Sequence, residues 1–82
     1  MEALIGRIVR SCAGRDNGKF LVVVKTDDGF VYVADGKERK LASPKKKSLK
    51  HVKPTNTVID TESLTDKKLR KLIAEFSAAS EF

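Results

Sequence analysis

Residues 6–24 read GRIVRSCAGRDNGKFLVVV. Two apolar runs rich in β-branched residues flank a short loop, AGRDNGK. Glycines at 14 and 18 let the backbone turn tightly or take positive φ without a Cβ penalty. Arg15 and Lys19 bracket the turn. The loop thus gathers backbone N–H groups and two cations at one exposed point, an arrangement suited to holding phosphate. Residues 20–24, FLVVV, are an unbroken apolar run of strand length. Such a run marks a strand covered on both faces.

Outward from this stretch the turn chemistry repeats. Residues 4–12 read as a first strand and 20–24 as a second. Asp27-Asp28-Gly29 is a hairpin signal between apolar runs, and residues 30–34 make a third strand. Asp35-Gly36 is a second turn, with a short fourth strand expected over 39–42. The segment SPKKK (43–47) reads as a loop. Residues 49–53 read as a fifth strand that Pro54 ends. Five short strands joined by tight turns predict a mostly β protein, a small five-stranded antiparallel barrel whose closure removes exposed sheet edges.

After residue 54 the pattern changes. Residues 55–63, TNTVIDTES, are polar and read as a linker. Leu69, Leu72, Ile73 and Phe76 then fall at i, i+3, i+4 and i+7, one face of a helix. Thr65 is a good N-cap and Asp66 suits the positive helix start. Leu64 and Leu69 have the spacing of a hydrophobic staple. The expected organisation is a barrel over 1–54, a linker over 55–63 and a C-terminal amphipathic α-helix over 64–80. The helix stripe either packs on the barrel or docks on a partner. The modest core available to a chain of 82 residues favours packing.

With no Trp, one Tyr and four Phe, burial must come mainly from Leu, Ile and Val. The single Cys12 excludes an internal disulfide and argues against a cysteine-based metal site. In a strand-like run it reads as a small buried hydrophobe. No apolar run approaches the length of a membrane span. The start, MEALIG, is too short and too acidic for a signal peptide, so a cytoplasmic protein is expected.

The net charge is +6, which suits a polyanionic partner such as nucleic acid better than an anionic membrane. The charge is segregated. Residues 1–53 hold 13 basic and 6 acidic residues, whereas 54–82 hold 4 basic and 5 acidic. A solubility role does not need that division; a binding face does. The densest part contains Lys37, Arg39, Lys40, Lys45, Lys46, Lys47, Lys50 and Lys53 against Glu38 alone. Leu41, Ala42, Leu49 and Val52 interrupt it at the spacing of inward strand positions.

No catalytic constellation emerges, so no enzyme activity, cofactor or metal is expected. His51 has no cysteine at metal spacing; it reads as a surface histidine or as one that stacks on or hydrogen-bonds to a nucleic acid. Asp27 and Asp28 are turn formers. Residues 14–19 lack the spacing of a nucleotide P-loop. Phe20 and Phe30 read as core, and Tyr32 as able to point outward. So few stacking platforms argue for recognition of a folded nucleic acid by shape and phosphate charge.

Gly6, Ile8, Val9, Gly14, Gly18, Lys19 and the valines at 22–24 resemble a KOW motif, the RNA-binding SH3-like barrel of ribosomal proteins and transcription elongation factors. The ordered series Gly6-Arg7, Ala13-Gly14-Arg15, Gly18-Lys19, Asp28 with Phe30-Val31, Asp35-Gly36 and Lys50-His51-Val52-Lys53-Pro54 is similar to the archaeal and eukaryotic large-subunit ribosomal protein fourteen-e group. It also resembles bacterial stand-alone KOW-domain proteins. The likeness covers residues 4–54; the tail from Thr55 onward matches nothing in the pattern. It implies a non-catalytic RNA-binding protein of the translation apparatus, monomeric when free, with ribosomal RNA as partner and ribosomal proteins as further contacts. Together with the charge pattern it nominates Arg10, Gly14, Arg15, Gly18, Lys19, Arg39, Lys40, Lys45, Lys46, Lys47, Lys50 and His51 as the RNA-binding residues. The alternative is a protein-interaction module of SH3-like type acting in transcription or translation.

Overall fold

Asp28 and Gly29 both take positive φ, 28° and 86°. This is the two-residue turn whose twist suits a hairpin, and through it β2 (Phe20–Asp27) returns as β3 (Phe30–Ala34). The computed structural model describes residues 4–79. Position 80 of the expected helix and the first three residues of the expected 1–54 unit lie outside the described residues. β1 (Arg7–Ser11), β4 (Lys45–Ser48) and β5 (Val52–Val58) complete one antiparallel sheet of order β4-β3-β2-β1-β5. α1 (Asp66–Ala79) follows. β4 and β5 are the two edges, and no ladder joins them among the described residues. The turn spacing predicts a closed barrel, and the sheet instead stays open, with β4 and β5 unpaired to each other among the described residues.

The run at 20–24 is covered on both faces, as its composition demands. Leu21 and Val23 join Val9, Val31, Val33 and Val52 in one core cluster. Val22 joins Ala34 and Leu69 in a second, with Val24, Leu41, Ile59, Leu64 and Ile73 packed around it. Alternation along one strand thus feeds two cores, one with no helix residue in it and one beneath α1.

Three strand assignments shift. Residues 39–42 form no strand. Instead the Asp35 carboxylate accepts from the Lys37 and Arg39 amides at 2.8 and 2.9 Å, and Leu41 is drawn toward the helix-side core. The fourth strand is Lys45–Ser48, cut from the segment that reads as a loop. Its pairing with β3 overrides its polarity, and lysines on a short edge strand discourage further pairing. Leu49–His51 is a 3-10 turn, and β5 runs through Pro54 to Val58 rather than stopping there. An edge strand tolerates proline because one side of its backbone carries no ladder. Just past Pro54, β5 bulges, with residues 55–57 facing Ile8 alone on β1, and the Thr55 hydroxyl donates to the Ile8 carbonyl at 2.7 Å.

Some side chains also differ from expectation. Cys12 is exposed rather than buried, because the alternation that turns Val9 and Ser11 inward puts Cys12 outward with Arg10. Phe30 is 42% exposed rather than core. It shares its face with Tyr32, beyond the cover of α1. Phe20 is half-buried, its ring edge-on to Phe76 with centroids 5.1 Å apart. Leu49 and Ala42 are exposed, and only Val52 of the four interrupting residues is fully inward.

The helix forms as its sequence indicates. The Lys68 amide donates to the Thr65 hydroxyl at 3.2 Å, an N-cap bond. Leu64 and Leu69 meet in one cluster across that cap, as a staple should. Leu69 is wholly buried against Val22 and Ala34, so α1 lies on the sheet. Leu69→Ala should lower stability by about 2 kcal/mol, toward the low end for leucine truncation, because half-buried neighbours can settle into the space. Urea denaturation checks this; an unchanged midpoint would mean that the helix is not held by its stripe.

Candidate nucleic-acid interface

The loop between β1 and β2 is built around a buried acid. Ser11 is the last residue of β1, and its carbonyl accepts from the Gly18 amide at 2.8 Å. Asn17 and Lys19 donate their amides to Gly14 and Asp16 carbonyls at 3.2 and 2.8 Å. Gly14 and Gly18 stand at φ 73° and 87°, which makes the tight path possible. Three of the loop's amides are thus spent inside it. What it offers outward is chiefly the side chain of Arg15, exposed on the 3-10 turn Gly14–Asp16.

Asp16 points inward with its side chain 5% exposed. Lys47 Nζ lies 3.8 Å from its Oδ2, and Arg39 Nη2 lies 3.6 Å away. Lys47 is only 8% exposed, and its ammonium also donates to the Ala13 carbonyl at 3.2 Å. A buried lysine needs such a partner, since an unpaired ammonium inside a protein is expensive. One carboxylate therefore ties together the 13–19 loop, the 35–44 connection and β4. His51, in the turn after β4, adds a fourth tie: its carbonyl accepts from the Cys12 amide at 2.8 Å.

The nominated residues fall into distinct groups. Lys47 and Arg39 neutralise Asp16, and Arg39 Nε is buried with no hydrogen-bond partner. Lys19 is exposed and pairs with Glu38 at 3.2 Å. Such exposed pairs are weak and exchange readily with a stronger anion. Arg15, Lys40, Lys45, Lys50 and His51 are exposed on or beside the segments that Asp16 and Cys12 tie together. Arg10 is exposed on β1, opposite Phe20 and Lys53. Lys46 points to the other side of β4 from Lys47, where its Nζ sits 4.5 Å from the Phe30 ring centroid.

Sequence reading missed three things here. Asp16 looks like one more loop acid; only its burial marks it as an organiser. Lys47 looks like one more cation of a basic run. Lys25 lies outside the basic run, yet it pairs across the sheet with Tyr32 and holds its ammonium 5.3 Å from that ring. Alternation beyond the bulge at Val24 carries the signal for Lys25, but the bulge itself is not visible in the sequence. An exposed cation–π contact is worth about 0.5–1 kcal/mol, so these lysines are lightly held.

A groove of about 410 Å³ runs between α1 and the 14–19 and 35–38 loops. It mixes Lys19, Lys37 and Arg70 with Asp35 and Glu38, so it is not a uniform anion trap. Among the described residues, no group of His, Cys, Asp and Glu is placed to hold a metal ion, and no helix is long and apolar enough to cross a membrane. The chain matches no known protein-family model.

Proposed function

We propose that this protein is a non-catalytic RNA-binding domain of the translation apparatus, built on an open five-stranded sheet of SH3-like, KOW type, that grips folded RNA by its phosphates. The observation that carries the reading is the buried Asp16 tie. It fixes three cation-bearing segments relative to one another, so that Arg15, Lys40 and Lys45 stand on a rigid base instead of on independent loops. Prearranged cations lose less freedom on binding. The strand order β4-β3-β2-β1-β5, with a 3-10 turn between β4 and β5, supports the SH3-like part of the reading. The segregated charge supports a polyanionic partner. The protein-interaction alternative of SH3-like type draws less support from the helix stripe, because Leu69 of that stripe is buried against the sheet.

Of the nominated cations, Arg10, Arg15, Lys19, Lys40, Lys45, Lys46 and Lys50 are exposed. Affinity for a folded ribosomal RNA fragment should then fall with salt at a log–log slope on the order of −4 to −6. The triple substitution Arg15→Ala, Lys40→Ala, Lys45→Ala should flatten that slope by about 2. Fluorescence anisotropy across a salt series measures both. A slope near zero in the unaltered protein would sink the reading. Sucrose-gradient sedimentation from lysate at low and high salt tests the ribosomal part: comigration with large-subunit or whole-ribosome fractions, lost at high salt, is expected. Migration at the top of the gradient under both conditions removes the ribosome from the reading.

A further inference from the structure

The outer face of the sheet continues beyond the reach of α1. Ala34, Tyr32 and Phe30 alternate onto that face of β3; Ala34 lies beneath Leu69, whereas Phe30 is 42% exposed and Tyr32 half-buried. Lys25 and Lys46 flank Tyr32 as its cross-strand partners on β2 and β4. The ammonium of Lys46 stands 4.5 Å from the Phe30 centroid, and that of Lys25 stands 5.3 Å from the Tyr32 centroid. Two neighbouring rings, each attended by a cation, thus occupy a surface with no packing role in either core cluster.

We infer that the Phe30–Tyr32 face of β3 stacks unpaired bases of a single-stranded RNA segment while Lys25 and Lys46 take the flanking phosphates. This extends the RNA-binding reading above and rests on it. Aromatic rings bind any base through its π-face, and adjacent cations track the backbone. Residues two apart on a strand lie roughly 6.8 Å from one another, twice the strand rise. Bases stacked in a duplex lie about 3.4 Å apart, so neighbours in a helix do not match the two rings, whereas splayed bases of a loop or single strand do. The two lysines favour a polyanion over a neutral peptide on this face. Asp27, opposite Phe30, marks its limit at the hairpin. Shape and phosphate recognition through the Asp16-tied segments and base stacking through β3 would be two separate contacts on one RNA.

The chain has one tyrosine, Tyr32, and no tryptophan, so its intrinsic fluorescence reports this face directly. Titration with deca-uridine should quench tyrosine emission. Phe30→Leu, at an exposed position, should weaken deca-uridine binding about five- to hundredfold. Binding of a blunt RNA duplex should stay within about twofold of the unaltered protein. Salt-dependent duplex binding without quenching, or with Phe30→Leu matching the unaltered protein on deca-uridine, would overturn the stacking face and leave the phosphate-binding reading standing. Failure of the unaltered protein to bind either RNA would overturn both. Quenching by a proline-rich peptide and not by deca-uridine would assign the face to a peptide and overturn the inference.

Discussion

Asp16→Ala should destabilise the protein by about 3 kcal/mol, because it leaves the Lys47 ammonium buried with no counter-charge. Breaking a buried pair commonly costs 3–5 kcal/mol. The low end applies because the contacts from Lys47 and Arg39, at 3.8 and 3.6 Å, are longer than direct hydrogen bonds. Lys47 also keeps its bond to the Ala13 carbonyl. Arg39 is 29% exposed at its side chain and can turn to water, whereas Lys47 cannot. The double variant Asp16→Ala, Lys47→Met should therefore recover most of the loss, since an apolar pair in that space needs no charge balance. Guanidinium denaturation of the single and double variants measures the coupling. Equal destabilisation by both would show that the ion pair is not what makes Asp16 matter. The same substitution separates charge from arrangement in RNA binding. Removing one carboxylate raises the net charge from +6 to +7, which by charge alone strengthens binding to a polyanion. Affinity should instead fall well below the melting temperature, because the loop that presents Arg15 loses its anchor.

Gly36→Ala should cost about 3 kcal/mol, of which positive φ explains about 1–2 kcal/mol. Gly36 is buried with φ 80°, and a Cβ there would collide with the Asp66 backbone carbonyl and come within 3.2 Å of the Arg70 amide. A backbone atom cannot swing aside, so the helix start must move. The move would disturb a joint, since the Asp66 carboxylate accepts from the Leu41 amide at 2.8 Å and the Arg70 guanidinium donates to the Gly36 carbonyl at 3.3 Å. Gly18→Ala is the control: its φ is 87°, but nothing lies within 4 Å of the added Cβ. It should cost about 1–2 kcal/mol, the conformational penalty alone. For a domain of this size the Gly36 variant should melt roughly 12–24 °C lower. Equal melting temperatures for the two variants would mean that the helix does not seat on Gly36.

These two residues show where sequence reading stops. In the sequence Asp16 is one unremarked residue of the AGRDNGK loop, and Gly36 is half of a turn. Neither role depends on local chemistry. Asp16 matters because Lys47, 31 positions later in the numbering, alternates inward on a strand that the basic run conceals. Gly36 matters because the helix starts directly over it. Conversely, the Asp28-Gly29 hairpin, the two-sided run at 20–24 and the Thr65-capped helix were all legible, and each is set by residues within a few positions of one another.

The same division runs through the candidate interface. Total charge, its confinement to the first part of the chain and the glycine-bounded loop follow from composition and short-range order. Which cations face solvent does not: Lys46 and Lys47 are chemically identical neighbours, yet one lies over an exposed ring and the other is buried against a carboxylate. Turns, caps and amphipathic stripes arise from local backbone preference and periodicity, so the amino-acid order is enough to specify them. The edge strand at 45–48, the proline inside β5, the open sheet and the sorting of lysines into structural and exposed sets depend on which distant segment each strand meets. Only the folded chain settles that, because pairing and burial energies between remote residues outweigh the local preference of a charged run.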